Sequence, residues 1–281
     1  MRRPTPRSLA LDLLSSLRGG SMPVAALVEA AALFGIEANA QRVAVARLLA
    51  AGQIARDQRG CYRLGAAAAP VDRRVLAWRR AEDATVRWQG GFWLVHAGRL
   101  APARAAERRR REQALRLLGF APLARGLATR PDNLRGDLAW LRGELDLLGL
   151  EPDALLVRAS ELDPEADARA QRLWSRDELA QGYRRSLGAL AASEARLGRL
   201  PEEKAMAESF LLGGRVIRQL VLDPLLPEPL APEPLRRELA QAMRRYDRLG
   251  RRAWAGFLAR HGAPHVATPA DGERTLAVPV A

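Results

Sequence analysis

The chain has one cysteine, Cys61, and one lysine, Lys204, among 281 residues. A single thiol excludes an internal disulfide framework and any cysteine-based metal cluster, and it fits a reducing cytoplasm. The three histidines, His96, His261 and His265, are too scattered in sequence for a metal site. No run of about 18 apolar residues is present to span a bilayer. The basic, then apolar N-terminus is interrupted by Asp12, so it reads as a helix rather than a signal segment, and no membrane partner is expected. Also missing are a Walker-type phosphate loop and a GxGxxG motif. No nucleophile with a base, no metal set and no carboxylate pair forms a local motif, so the expectation is a protein that is not an enzyme.

What is plentiful is arginine. The formal net charge of +13 and a pI near 11.3 favour polyanionic partners, because cationic side chains that neutralise phosphates release counterions. DNA, RNA and an anionic membrane surface all satisfy that electrostatic condition. The preference for Arg over Lys, with abundant Ala and Leu, suggests GC-rich coding, but this does not explain the excess of base over acid. Hydrophobic content of 48% is enough for more than one core. Single domains usually hold roughly 100 to 200 residues, so two or three domains are expected.

From Gly35 to Leu64 the chain reads GIEANAQRVAVARLLAAGQIARDQRGCYRL, a short helix followed at once by a small basic hairpin. Asn39 is the expected N-cap and Gly52 the stop, which makes the helix about three turns long. Val45, Leu48 and Leu49 fall on one side at three-and-four spacing, so Arg42, Val43, Ala46 and Arg47 point outward or lie along the flank. Arg42 and Arg47 suit base edges or phosphates, since a planar guanidinium can donate two parallel hydrogen bonds. Gln41 lies nearer the core side, where burial or a cap interaction competes with DNA contact. Segments Gln53 to Arg56 and Cys61 to Leu64 form the hairpin around Asp57-Gln58-Arg59-Gly60. Arg56, Arg59 and Arg63 make it basic, fit for backbone or minor groove. The candidate DNA-binding residues are therefore Asn39, Gln41, Arg42, Val43, Arg47, Arg56 and Arg59. Cys61 reads as a small packing residue in the hairpin.

Upstream, Ser8 is the expected cap of a helix from Leu9 to Arg18 closed by Gly19-Gly20, and Met22-Pro23 opens a second from Val24 to Phe34, ended by Gly35. With the Asn39 helix this makes a winged helix-turn-helix, residues 1–65. Ala66 to Pro70 is a linker or short connecting helix. Residues 71–160 alternate: strand Phe92 to Ala97, helix Ala103 to Leu118, extended pieces Phe120 to Leu123 and Leu127 to Arg130, helix Leu134 to Leu148, strand Ala154 to Arg158. The order βαββαβ is the split βαβ, or ferredoxin-like, arrangement. Residues 163–261 read as helices, Arg176 to Leu197, Pro201 to Leu222 and Glu233 to Ala259. A proline-rich crossing precedes the last of them, where Leu222, Leu225, Leu226 and Leu230 want burial. Residues 262–281 have the composition of a disordered tail. The fold class expected is α+β.

Three strings of residues carry a family resemblance: Leu33-Phe34-Gly35-Ile36 with Arg42 to Leu48 and Gly60 to Leu64; Trp88-Gln89-Gly90-Gly91-Phe92-Trp93 with Leu117 to Phe120 and Thr129-Arg130-Pro131-Asp132-Asn133; and Asp223-Pro224-Leu225-Leu226-Pro227 before the long final helix. Their order and spacing resemble the PaaX family of bacterial repressors of phenylacetic acid catabolism, over roughly residues 6 to 260. The resemblance implies a homodimeric repressor on double-stranded operator DNA. It further implies a middle domain similar to the Cas2 fold and release from DNA by a CoA thioester effector such as phenylacetyl-CoA, with no other cofactor. Trp174, with Tyr183 and Arg184 nearby, is the candidate lining of an aromatic ligand pocket. The run Arg108-Arg109-Arg110-Arg111 is read as a solvated helix face. The competing readings are a nucleic-acid-processing enzyme built on the ferredoxin-like domain and a sequence-neutral DNA-binding protein.

Overall fold

In the computed structural model of the chain, residues 3–17, 20–57, 60–97 and 105–263 are described. They form an α+β protein in which helices predominate and the strands make two small antiparallel sheets. Contacts group the chain into two units, residues 1–69 with 251–281 and residues 70–250. The middle and helical segments thus share one unit, and the end of the last helix belongs with the N-terminal segment.

The first unit contains α1 (Pro6–Ser16), β1 (Met22–Pro23), α2 (Val24–Ala32), α3 (Ala38–Ala50), β2 (Ile54–Arg56) and β3 (Cys61–Leu64). Thr5, not Ser8, caps α1: the Thr5 hydroxyl accepts from the Ser8 amide, and the Ser8 hydroxyl accepts from the Thr5 amide. Pro6 then takes the first helical position, where its missing N–H costs nothing. Leu9, Leu13, Leu14, Ala26, Leu27, Ala30, Val45 and Leu48 meet in the core, each large side chain contributing about 1.5 to 3 kcal/mol through burial.

The turn between α2 and α3 is set by Gly35, at φ 70°. Its amide donates to Ala32 O and the Ile36 amide to Ala31 O, a paired closure that needs a left-handed residue. Gly52, at φ 64°, closes α3 in the same way through Leu49 O and Leu48 O. The start of α3 departs from expectation. The helix begins at Ala38, Glu37 holds the cap position without a side-chain bond, and Asn39 lies exposed in the first turn. The geometry imposed by the Gly35 closure, together with the helix-favouring Ala38, outweighs the capping preference of Asn39. Met22-Pro23 does more than open α2: it pairs with Tyr62 and Cys61 of β3, giving a three-stranded sheet in the order β1-β3-β2. Residues 58–59 of the hairpin turn and 18–19 after α1 lie outside the described residues.

The last helix, α10 (Glu233–Arg260), contributes its final turns to this unit. There Trp254, Phe257 and Leu258 are buried, and His261 Nε2 lies 3.1 Å from Glu29 Oε2 on α2. The tail expected at 262–281 lies almost wholly outside the described residues.

A 3₁₀ turn at Ala66–Ala68 and α4 (Ala69–Leu76) occupy the expected linker. The second unit then carries β4 (Phe92–His96), α5 (Ala105–Leu117), β5 (Ala121–Ala124), β6 (Leu127–Pro131), α6 (Leu138–Leu148) and β7 (Leu155–Ala159). The sheet order is β5-β6-β4-β7, with every neighbouring pair antiparallel. Each helix crossover therefore joins strands that are not neighbours. Gly119 and Gly149 end α5 and α6 where the sequence places them, whereas α6 starts at Leu138 because Asp137 caps it. Trp93, Val95, Leu118, Phe120, Leu141 and Leu145 form the core between the sheet and these helices.

Four helices complete the unit: α7 (Pro164–Gln171), α8 (Arg176–Leu197), α9 (Glu202–Val221) and the greater part of α10. Tyr183, Leu190, Leu212, Val216, Leu239, Met243 and Tyr246 pack together with Trp78. In the crossing before α10, Leu225, Leu226 and Leu230 are buried, as their apolar character requires. Among the described residues no helix is long and apolar enough to cross a membrane.

Candidate nucleic-acid interface

Helix α3 presents two unlike faces. Gln41, Val45 and Leu48 share the inner one, at i, i+4 and i+7. Asn39, Arg42, Val43, Ala46 and Arg47 share the outer one, all exposed. Neither Arg42 nor Arg47 forms a hydrogen bond or ion pair among the described residues. Both guanidinium groups thus keep all their donors available on an outer face where Val43, at 41% exposure, is the largest apolar group. A planar guanidinium so placed can donate two parallel hydrogen bonds to a base edge or a phosphate.

Two expectations for this helix need correction. Gln41 is 0% exposed, and neither its amide oxygen nor its nitrogen finds a partner among the described residues. It cannot reach DNA from the inner face, and its buried amide costs free energy instead. Leu49 is 38% exposed and lies outside the core stripe, because it sits a further 100° round the helix from Leu48.

The hairpin is held from inside its turn. Asp57 Oδ1 accepts from the Cys61 amide at 2.8 Å, Asp57 Oδ2 accepts from the Ser21 hydroxyl at 2.8 Å, and Gly60 adopts φ 76°. The register pairs Arg56 with Tyr62 and Ala55 with Arg63, so exposed Arg56 and Arg63 fall on opposite faces of the ribbon. A methyl group on Gly60 would lie 3.2 Å from the Arg56 guanidinium, which therefore sits close over the turn. Arg59 lies outside the described residues. Cys61 is partly buried in β3.

The residues expected to line a ligand pocket are not brought together. Tyr183 is 1% exposed, and its hydroxyl donates to the carboxylate of buried Asp223. Burial, and then the charge of Asp223, push the tyrosine pKa above its usual value. Burial likewise raises the Asp223 carboxyl, partly offset by Arg236, whose Nη1 lies 3.7 Å away and donates to Leu226 O at 2.8 Å. Trp174 is half-buried against Leu226, Leu230 and Ala231, and Arg184 faces solvent. Tyr183 and Arg184 are successive residues of α8 and point about 100° apart, whereas Trp174 lies in the connection before that helix.

The family-like strings from the middle and the crossing do converge, at a junction that sequence reasoning missed. Buried Arg130 donates to Leu118 O, to Pro131 O at 3.1 Å and to Asn133 Oδ1 at 2.8 Å. Asn133 Nδ2 in turn donates to Leu225 O at 2.7 Å, and the Leu225 amide donates to Asp223 Oδ1 at 2.9 Å. Gly119 seats Pro224: a methyl group there would lie 2.6 Å from Pro224 O. One signal was available, since Gly119, Arg130, Asn133 and Asp223 are polar or conformationally special residues set among apolar ones.

Elsewhere the Arg108 to Arg111 run behaves as a solvated face: Arg111 Nη1 lies 3.1 Å from Glu151 Oε1, Arg108 Nε lies 3.8 Å from Glu112 Oε1, and Arg108, Arg109 and Arg110 are exposed. Among the described residues no three His, Cys, Asp or Glu side chains are placed to hold a metal ion.

The class of protein is thus an α+β chain with three N-terminal helices and a hairpin, the third helix opening an arginine face to solvent. Residues 5–68, which span α1 to α3 and the hairpin, match the family described as PaaX-like protein, and the resemblance read from the sequence is borne out there. Among solved structures, uncharacterized protein Rv0674 from Mycobacterium tuberculosis is similar, with 26% identity, a TM-score of 0.54, and coverage of 88% of this chain and 98% of that one. No curated protein matches the chain.

Proposed function

We propose that this chain is a cytoplasmic, DNA-binding transcriptional regulator, a homodimeric repressor of an aromatic-acid catabolic operon that an acyl-CoA or aryl-CoA releases from its operator. The observation that carries the reading is the outer face of α3, where Arg42 and Arg47 stand exposed and without partners among the described residues, beside Val43 and Asn39. Helix α2, the Gly35 turn, α3 and the hairpin follow the order of a winged helix-turn-helix, and the sheet order β1-β3-β2 supports it. In that geometry α3 enters the major groove and the hairpin is the wing, with Arg56 against the backbone. The middle segment is read as ferredoxin-like, similar to the Cas2 fold. The order β5-β6-β4-β7, antiparallel throughout, supports that assignment.

A dimer would set two copies of α3 on half-sites one or more helical turns apart. The effector acts by linkage: it lowers operator affinity only by preferring the conformation that does not fit the operator. The test is an anisotropy titration of the full chain on its own promoter region. Arg42→Ala and Arg47→Ala weaken binding while leaving thermal stability unchanged. Unchanged operator affinity in both variants overturns the α3 assignment, and an aryl-CoA that leaves affinity unaltered removes the effector while the DNA reading stands.

A further inference from the structure

The strings Gln89-Gly90-Gly91 and Asp132-Asn133 leave one feature that DNA binding does not use. A cleft of about 240 Å³ opens between them, lined by Val86, Arg87, Gln89, Asp132, Leu134, Arg135, Gly136 and Arg158. Its walls are zipped together: the Val86 amide donates to Asn133 O and the Arg135 amide to Ala84 O, both at 2.8 Å, and the Asp132 amide donates to Gly91 O at 2.9 Å. A lining fixed by backbone bonds loses little freedom when a ligand enters.

Three guanidinium groups and one carboxylate face this space, an excess of positive charge in a concave site. Two of the arginines are braced. Arg158 donates from Nε to Asp132 Oδ2 at 2.6 Å and lies 5.6 Å over the Trp93 ring, and Arg135 donates from Nε to Asp83 O at 3.0 Å. Each still has unused N–H groups, because a guanidinium carries five. Arg87 is exposed and has no partner among the described residues. Beside the cations lie apolar groups: Val86 is 42% exposed, and the Trp140 ring, 38% exposed, rests against Gly136.

We infer that this cleft binds the oxyanion of a small organic ligand, a phosphate or carboxylate gripped by Arg87, Arg135 and Arg158, with the ligand's apolar part against Val86 and Trp140. Planar guanidinium forks match both oxyanions, and the volume admits one such group rather than a whole dinucleotide-sized molecule. Asp132 inside the cleft opposes a continuous polyphosphate, which favours a small molecule over a nucleic-acid strand. The ligand's identity as effector rests on the reading above, whereas its location does not.

Isothermal titration of the full chain with coenzyme A, phenylacetate and inorganic phosphate tests this and separates the two oxyanions. At least one probe saturates a single site, and Arg87→Ala weakens it by about 10- to 100-fold, the loss of one charged hydrogen bond. Arg158→Ala does the same, Arg87→Lys retains part of the affinity, and Arg109→Ala, an equal loss of charge on α5, leaves it unchanged. No saturable binding of any probe, or binding indifferent to Arg87, overturns the cleft. So does an operator affinity that falls in Arg87→Ala as much as ligand affinity does. If an aryl-CoA releases the operator from the wild type and from Arg87→Ala alike, the cleft fails and the effector reading survives. If phenylacetate or phosphate binding depends on Arg87 but no aryl-CoA releases the operator, the cleft survives and that reading fails.

Discussion

Arg42 and Arg47 on α3 and Arg130 and Arg236 in the second unit are the same residue type in opposite circumstances. The first pair is exposed with no partner among the described residues; the second is buried, and its donors are engaged by Asn133, Leu118 O, Leu226 O and the carboxylate of Asp223. Composition counts all four equally toward the +13 charge. Physically they are unrelated, since a buried guanidinium organises the fold around itself and an exposed one is held ready for an outside anion.

The contrast breaks first at Arg236. Arg236→Ala leaves Asp223 buried without its cation, a loss of about 3 to 5 kcal/mol in urea unfolding. Burial already raises the Asp223 pKa, so the folded state holds that proton more tightly than the unfolded chain does. The deficit of the variant is accordingly smallest in acid and grows only as pH rises above the ordinary carboxylate range, where Asp223 beside Arg236 gives up its proton and Asp223 in the variant does not. A deficit independent of pH would show that the carboxylate is not the group left unpaired. Tyr183→Phe removes a donor to the same carboxylate and costs about 1.5 to 3 kcal/mol by the same assay.

On the other side of the comparison, Arg42→Ala or Arg47→Ala weakens operator binding by about 1 to 3 kcal/mol in an anisotropy titration. Unfolding stability shifts by no more than about 0.5 kcal/mol, as befits exposed side chains. A stability loss comparable to that of Arg236→Ala would erase the distinction between the two pairs. The smallest effect belongs to Arg56: its alanine variant lowers the slope of log affinity against log salt by about 1, with little preference among sequences, if the hairpin meets only phosphate.

Much of this architecture could be read in advance where one residue decides the outcome. Gly35, Gly52, Gly119 and Gly149 each mark a helix end, because a left-handed backbone there leaves few alternatives. The βαββαβ order was visible for a similar reason, in apolar runs punctuated by those glycines. Features that depend on a distant partner were not visible. Met22-Pro23 pairs with β3 over only two residues, one of them a proline that cannot donate to a ladder. Asn39 looked like a cap because local chemistry favours one, yet the Gly35 closure starts α3 earlier. Gln41 lies nearer the core side in sequence, where burial competes with DNA contact, and its place relative to Val45 and Leu48 commits it to the core. Tyr183 and Arg184 are neighbours along α8, where nearness in sequence is a poor guide to shared direction, and Trp174 precedes that helix.

The placement of His261 beside Glu29, with Trp254, Phe257 and Leu258 buried in the unit that holds α3, has a consequence for biosynthesis. A ribosome delivers α1 through β3 early, but the residues that finish their packing emerge only after the whole second unit has been made. The most local part of the sequence thus belongs to a structure of high contact order, closed by segments from opposite ends of translation. A chain stopped near residue 250 would leave Glu29 of α2 without His261 and the unit without the buried Trp254, Phe257 and Leu258. The N-terminal unit would complete its packing only when synthesis has passed the last turns of α10.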